Sequence, residues 1–229
     1  MSQIIERLQR GPTLIMSLPA NDPALAQAAA DGGADVLKIH IRVEHAASGT
    51  RFGTLEEERA NIERILDAFP GPVGIVAGAE SPATPAEMEA LAAMGIDFFD
   101  LYLSQMPAWM WELDGMARAV ALESRYTIHQ AIALENLGVD LIEAAIIPHE
   151  GYGQPLTVGD MAAYRELHDT VDVPIIVPTQ RAIRPEEAPL ITGECGIEGL
   201  MIGAIVTGKT AQSIEHAVRQ YKMALNAAG

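Results

Sequence analysis

Four times in this chain a glycine is followed by a small or branched apolar residue, an acid and a strand-like run. Gly33-Ala34-Asp35 precedes residues 36–43, Gly95-Ile96-Asp97 precedes 98–103, Gly138-Val139-Asp140 precedes 141–147, and Gly196-Ile197-Glu198 precedes 199–205. A glycine at such a point ends a helix, because it tolerates the left-handed backbone there. Between these units lie strands that enter differently: Gly11-Pro12 before 14–18, Gly71-Pro72 before 73–77 and Val173-Pro174 before 175–177. Proline is tolerated at the first position of a strand. Residues 119–122 complete the set without a proline, making eight strands.

Helical signals fill the gaps. Asp22-Pro23 opens a segment that runs to Asp31. Thr54 with Glu57 forms a capping-box pattern before a helix that ends near Phe69, and Thr84-Pro85 opens the next. Short 107–113 is followed by 127–137, 157–171, 185–194 and 210–225. Strands that alternate with helices give a parallel sheet. Eight such units in 229 residues, 49% of them hydrophobic, predict a single-domain (β/α)8 TIM barrel over 1–229. Residues 1–10 are expected to form a short N-terminal helix over the barrel floor. An open, doubly wound sheet is the alternative; the regularity of the eight units favours closure.

The second strand carries the chemistry. Leu37, Ile39 and Ile41 alternate with Lys38, His40 and Arg42, so one face is aliphatic and the other cationic or titratable. The chain has three lysines, Lys38, Lys209 and Lys222, and Lys38 sits mid-strand. A lysine is almost never buried without a partner, so the strand implies a polar cavity whose other walls supply counter-charge. In a closed barrel, alternate strands feed the same interior layer. Parity puts Phe98, Asp100 and Tyr102 on one face of strand four, and Leu141 and Glu143 on one face of strand six. Lys38, Asp100 and Glu143 are therefore expected to meet in the lumen as a catalytic cluster, with His40 beside them. Two carboxylates beside Lys38 favour a charged ammonium that stabilises an enolate over a Schiff-base nucleophile, with Glu143 or Asp100 carrying the proton.

The loops add candidates for binding. The polar stretch 44–53 after strand two reads as a lid or a solvated loop. After strand six comes Pro148-His149-Glu150-Gly151-Tyr152-Gly153, which places His149 and Glu150 next to the cavity together with inward-facing Arg42 and Tyr102. His40, His45 and His149 with Glu44 or Glu150 offer metal-ligand chemistry, but their spacing forms no compact ligand motif, so neither a metal nor another cofactor is expected. The stretch Met106-Pro107-Ala108-Trp109-Met110-Trp111 reads as packing or a subunit contact. In many such barrels the loops after strands seven and eight hold a phosphate. Here strand seven ends at Thr179-Gln180-Arg181, and strand eight ends at Gly203-Ala204, where Gly203 lets backbone approach a ligand.

The net charge is −16, from 31 acids against 15 bases. That argues against nucleic acid and anionic membranes as partners, and leaves room for a small phosphorylated or anionic substrate met by local cations. No apolar run approaches the ~18 residues of a membrane span. The N-terminal residues lack a signal-peptide layout, and the single Cys195 fits a reducing, cytoplasmic setting.

The two C-terminal strand endings resemble those of the phosphate-binding TIM-barrel superfamily, and within it the N-acetylmannosamine-6-phosphate 2-epimerase family. That family ends strand seven with Glu-Gly-Arg-Ile and a nearby Pro-Glu; here Arg181 and Pro185-Glu186 match, while Thr179-Gln180 replace the acid and glycine. Its strand eight ends Val-Val-Gly-Ser-Ala-Ile-Thr, similar to residues 201–207, and its strand-six loop has a Gly-Tyr, as at Gly151-Tyr152. The resemblance implies Arg181, Gly203 and Ala204 at a phosphate. The leading expectation is an isomerase or epimerase acting on a phosphorylated carbohydrate by proton transfer next to a carbonyl, and a homo-oligomer is expected. The family's catalytic lysine lies on strand three, where this chain has Val76-Ala77-Gly78. A carbon–carbon lyase and a non-catalytic metabolite-binding barrel are the rival expectations.

Overall fold

The computed structural model describes residues 2–45 and 47–227; Met1, Ala46, Ala228 and Gly229, which the sequence reading places at the barrel's ends and in the loop after strand two, lie outside the described residues. Eight parallel strands close on themselves: β1 (Thr13–Ser17), β2 (Val36–Ile41), β3 (Val73–Ala77), β4 (Phe98–Tyr102), β5 (Ala117–Ala121), β6 (Leu141–Glu143), β7 (Ile175–Pro178) and β8 (Gly199–Ile202). Each pairs with its sequence neighbours, and β1 pairs with both β2 and β8. This is a (β/α)8 TIM barrel.

The helices are α1 (Gln3–Arg10), α2 (Pro23–Gly32), α3 (Leu55–Ala68), α4 (Pro85–Met94), α5 (Ile128–Leu137), α6 (Val158–His168), α7 (Ala204–Thr207) and α8 (Ala211–Ala227). Capping boxes start four of them, at Thr54/Glu57, Thr84/Glu87, Thr127/Gln130 and Thr157/Asp160. Each box satisfies two backbone donors that the first helical turn would leave orphaned.

The acids of the repeated strand entry have a structural task at the barrel's N-terminal end. Asp35, Asp140 and Glu198 accept the backbone N–H of Leu14, Arg118 and Ile175, at the entries of β1, β5 and β7. Asp97 instead accepts from Gln3 and Ile4 and from the Ser2 hydroxyl, and so caps α1. Helix α1 then inserts Ile4 and Leu8 among Ile15, Val36, Phe98, Leu141, Ile176 and Met201 in the lower lumen. Space for this comes from inward-facing glycines. A Cβ at Gly74 would lie 2.0 Å from the Phe98 ring, and one at Gly199 would lie 2.5 Å from Ile176. A second, larger apolar layer lies between the strands' outer faces and the helices.

Several elements differ from the sequence expectation, each for a local reason. Strand β2 stops at Ile41 rather than continuing to Val43, because Arg42 adopts φ 54° and turns the chain. The stretch after it pairs Glu44–His45 antiparallel with Thr50–Arg51 in a small hairpin. Strand β6 ends at Glu143; the next backbone donors turn to Ile176, to Glu143 itself and, from Ile147, to the Gln180 side chain. Strand β8 stops at Ile202, and the expected strand end becomes α7. The helix expected over 185–194 is present but irregular: a tight turn at Pro185–Glu187 runs on through Ala188 and Pro189, both right-handed helical, into a wider turn over Leu190–Glu194. The tryptophan-rich stretch forms a short turn over Ala108–Glu112, with Met110 buried and the Trp111 indole donating to the Leu137 carbonyl at 3.0 Å. Among the described residues, no helix is long and apolar enough to cross a membrane.

Candidate active site

The strands' carboxyl ends surround a cavity of about 280 Å³. This lies just below the usual range for ligand pockets, roughly 300–1,000 Å³, and suits a small metabolite. Inward parity puts Lys38 and His40 of β2, Asp100 and Tyr102 of β4 and Glu143 of β6 on its wall, with Thr179 and Gly203 at its rim.

Lys38 Nζ donates to Asp100 Oδ2 at 2.7 Å and to Glu143 Oε2. The three residues are 5%, 1% and 6% exposed, so the cluster is shielded from bulk water. Burial alone would push Lys38 down, but Asp100 and then Glu143 outweigh it and hold the ammonium above its ordinary range. Burial, reinforced by the neighbouring Asp100, drives Glu143 well above the usual carboxylate range against the pull of Lys38. The cluster is therefore a charged ammonium held between Asp100 and a Glu143 that burial pushes toward its protonated form. Asp100 Oδ1 is buried with no hydrogen-bond partner among the described residues, an acceptor left for a ligand.

His40 lies two residues further along β2. Its ring sits 4.5 Å from that of His45 and stacks on Phe52 at 4.7 Å. Burial, then His45 and Lys38, lowers His40 well below its usual range, and burial with Lys38 lowers His45 to about 4. Both rings are thus neutral imidazoles at neutral pH. His45 Nδ1 meets the Ser48 hydroxyl at 2.8 Å, and Lys209 donates to the Ser48 carbonyl, which ties the hairpin to the start of α8. Among the described residues, no group of three or more His, Cys, Asp or Glu side chains is arranged to hold a metal ion.

Other predicted residues point elsewhere. Arg42 leaves the inward face at its positive φ, and its Nε donates to both Glu87 oxygens at 3.0 and 2.9 Å. Arg181 pairs with Asp160 at 2.9 Å and donates to the Gly151 carbonyl, so its guanidinium serves α6 and the strand-six loop. Glu150 is exposed outside the cavity wall, and His149 stacks on Tyr152 at 5.0 Å. Ala204 opens α7 behind the wall, whereas Gly203 and Ile205 line it. Gly203 N–H donates to the Thr179 hydroxyl at 3.1 Å, joining the ends of β7 and β8.

Sequence reasoning missed Ser17, Tyr152 and Gln180, all on the cavity wall. Parity could have found two of them: Ser17 continues the inward series from Ile15, and Gln180 continues it from Ile176 through Pro178. Tyr152 arrives on a loop, which has no such parity.

No protein-family model matches this sequence, and no curated protein matches it either. Solved structures do. A ligand-free tryptophan synthase from M. tuberculosis is 13% identical, covering 98% of this chain and 99% of that chain with a TM-score of 0.76. KGPDC from Streptococcus mutans is 15% identical over 95% of this chain and 99% of that chain, with a TM-score of 0.68. A FabK mutant from Thermotoga maritima is 14% identical over 90% and 66%, with a TM-score of 0.62. At these identities the likeness establishes the barrel.

Proposed function

We propose that this barrel is an acid–base enzyme, an isomerase or epimerase, acting on a small phosphorylated carbonyl compound by proton transfer next to the carbonyl. The observation that carries the reading is the buried Asp100–Lys38–Glu143 cluster on the cavity wall. Perturbed titratable groups grouped at the functional face of a barrel are the arrangement that such chemistry needs. The enzymes with which it shares the barrel, among them tryptophan synthase and KGPDC, support an enzymatic reading.

In this scheme Asp100 removes the proton α to the carbonyl. The C–H electron pair moves into the new C=C bond, and the carbonyl oxygen becomes an enolate oxygen that the Lys38 ammonium stabilises. Glu143 holds the proton that quenches the enolate, at carbon or at oxygen, and receives its replacement when Asp100 is relieved of its own. The phosphate is met at the rim formed by Thr179 and Gly203. Arg181 takes no part, because Asp160 engages it. A Schiff base at Lys38 is disfavoured, since the amine is held as an ammonium.

The test is solvent exchange. A panel of aldose and ketose phosphates is incubated with the protein in D2O, and loss of the α-proton signal is followed by NMR. Exchange by the wild type and none by Lys38→Met is the expected result. Binding without exchange for every compound would make this a metabolite-binding barrel instead.

A further inference from the structure

One hydrogen-bonded chain on the cavity wall is left over from the acid–base cluster. Gln180, buried at the end of β7, accepts the Ile147 N–H on Oε1 at 3.0 Å. This bond fixes which end of the amide faces which way. The Nε2 end then donates to the Ala145 carbonyl at 3.3 Å and to the Tyr152 hydroxyl oxygen at 2.7 Å. The Gln180 carbonyl also accepts the Gly153 N–H at 2.8 Å. One side chain and its backbone therefore hold both ends of the strand-six loop.

The direction of the Tyr152 proton follows. Its oxygen already accepts from an amide that has no acceptor to offer, so its own O–H must point away from Gln180. Tyr102 shares the cavity wall with it, alongside Glu143 and Asp100. His149, stacked on the Tyr152 ring with 28° between the planes, holds that ring from the solvent side. Arg181 adds a second strap through the Gly151 carbonyl, where a Cβ would lie 2.9 Å from the guanidinium.

The geometry points to Tyr152 as a substrate-contacting residue that, with Tyr102, presents an ordered pair of hydroxyl donors above the Asp100–Lys38–Glu143 cluster, and to Gln180 as the positioning residue that sets their direction. The ligand chemistry that fits is an oxygen-rich planar enediolate, whose second oxygen meets the tyrosines while the first meets Lys38. The inference rests on the proton-transfer reading above and extends it to how the site tells an enediolate from a simple phosphate.

Phosphoglycolohydroxamate, a phosphorylated mimic of a planar enediolate, tests this by calorimetric titration, with inorganic phosphate as the second probe. Tyr152→Phe should weaken the hydroxamate about tenfold or more, the worth of one good hydrogen bond to a charged oxygen, and leave inorganic phosphate unchanged. Gln180→Glu keeps an acceptor for Ile147 but turns the other end into an oxygen, which draws the Tyr152 proton back from the ligand side. It should match Tyr152→Phe, and the double variant should be no weaker than either alone. Wild type that binds the hydroxamate, with Tyr152→Phe binding it equally well, overturns the inference alone. Gln180→Glu that weakens both probes in step with a lowered Tm makes Gln180 a structural brace and overturns its positioning role. Wild type that binds phosphate but not the hydroxamate overturns the proton-transfer reading, and this inference with it.

Discussion

The floor and the mouth of this barrel are built from the same strands, two residues apart. Val36, Phe98 and Leu141 face the lumen at the floor; Lys38, Asp100 and Glu143 face it one inward position later. The backbone geometry of β2, β4 and β6 is the same at both levels. What changes is access: α1 seals the floor with Ile4 and Leu8, while the mouth opens on a cavity. The floor is a packed core in which shape decides the energy. The mouth holds a buried ammonium and two carboxyls, an arrangement that packs no better than aliphatic side chains and often less stably. The use proposed for it lies outside folding, and the contrast can be pressed by experiment.

The largest effect belongs to the floor. Phe98→Ala empties the space that Gly74 leaves for the ring and should cost about 3–5 kcal/mol in denaturant unfolding, with the mouth's ligand affinity unchanged in the protein that remains folded. A loss below about 1 kcal/mol would mean that the floor collapses freely and that the two levels are not distinct. At the mouth the pattern should invert. Lys38→Met should lower turnover, read as solvent exchange, on the order of 10²–10⁴-fold, while stability changes by less than about 2 kcal/mol, because the remaining carboxyls can take up protons once the ammonium is gone. A strongly destabilised variant with intact ligand binding would make the cluster part of the core.

The mouth also predicts an asymmetric pH response, and the floor none. His45 binds its proton only near pH 4 when folded, against 6.5 when unfolded, and His40 is lowered in the same direction. Between those values the unfolded chain holds more protons, so stability falls as pH drops from about 6.5. Glu143 works in the other direction. Folded, it keeps a proton that the unfolded chain releases above about 4.5, so its contribution falls as pH rises toward its raised value. Thermal melts across pH should show an acid limb that His45→Asn makes shallower. They should also show a loss on the alkaline side that Glu143→Gln removes. An unchanged acid limb in His45→Asn would place that proton uptake elsewhere.

The same contrast explains what the sequence could reveal. The barrel was legible because its signals are local and repeated: a helix-ending glycine, an acid, then a strand. Even so, the reason for the acid was not legible, since Asp35 and Glu198 brace strands that lie 21 and 23 residues before them. The Lys38–Asp100–Glu143 contact could be argued because parity is a property of each strand and closure aligns alternate strands. Parity failed where strands ended. Arg42 carries the pattern one step too far, Arg181 follows β7 onto a loop, and both find carboxylates, Glu87 and Asp160, on helices that no strand pattern can place. Tyr152 escaped notice because it arrives on a loop, whereas Gln180 continues the inward series of β7 and was within reach of parity. Their meaning lies in one loop folding back on the end of the next strand.

The smallest expected effect marks the border of the mouth. Arg42 sits one step past the end of β2 with φ 54°, a backbone that a non-glycine residue adopts at a cost of roughly 1–2 kcal/mol. Its ion pair with Glu87 is partly exposed, and such pairs contribute about 0.2–1 kcal/mol. Glu87 does not depend on it alone, because it also accepts from the Thr84 and Leu55 backbone N–H groups. Arg42→Gly removes the pair and the backbone strain together, and adds the ordering entropy of a glycine, roughly 0.5–1 kcal/mol. The terms nearly cancel, so unfolding free energy should move by less than about 1 kcal/mol in either direction. The enediolate mimic should bind as in the wild type, because the guanidinium faces α4 and not the cavity. A tenfold loss of that ligand in Arg42→Gly would extend the site past β2 onto the hairpin, and the mouth would then be wider than the cluster at its centre.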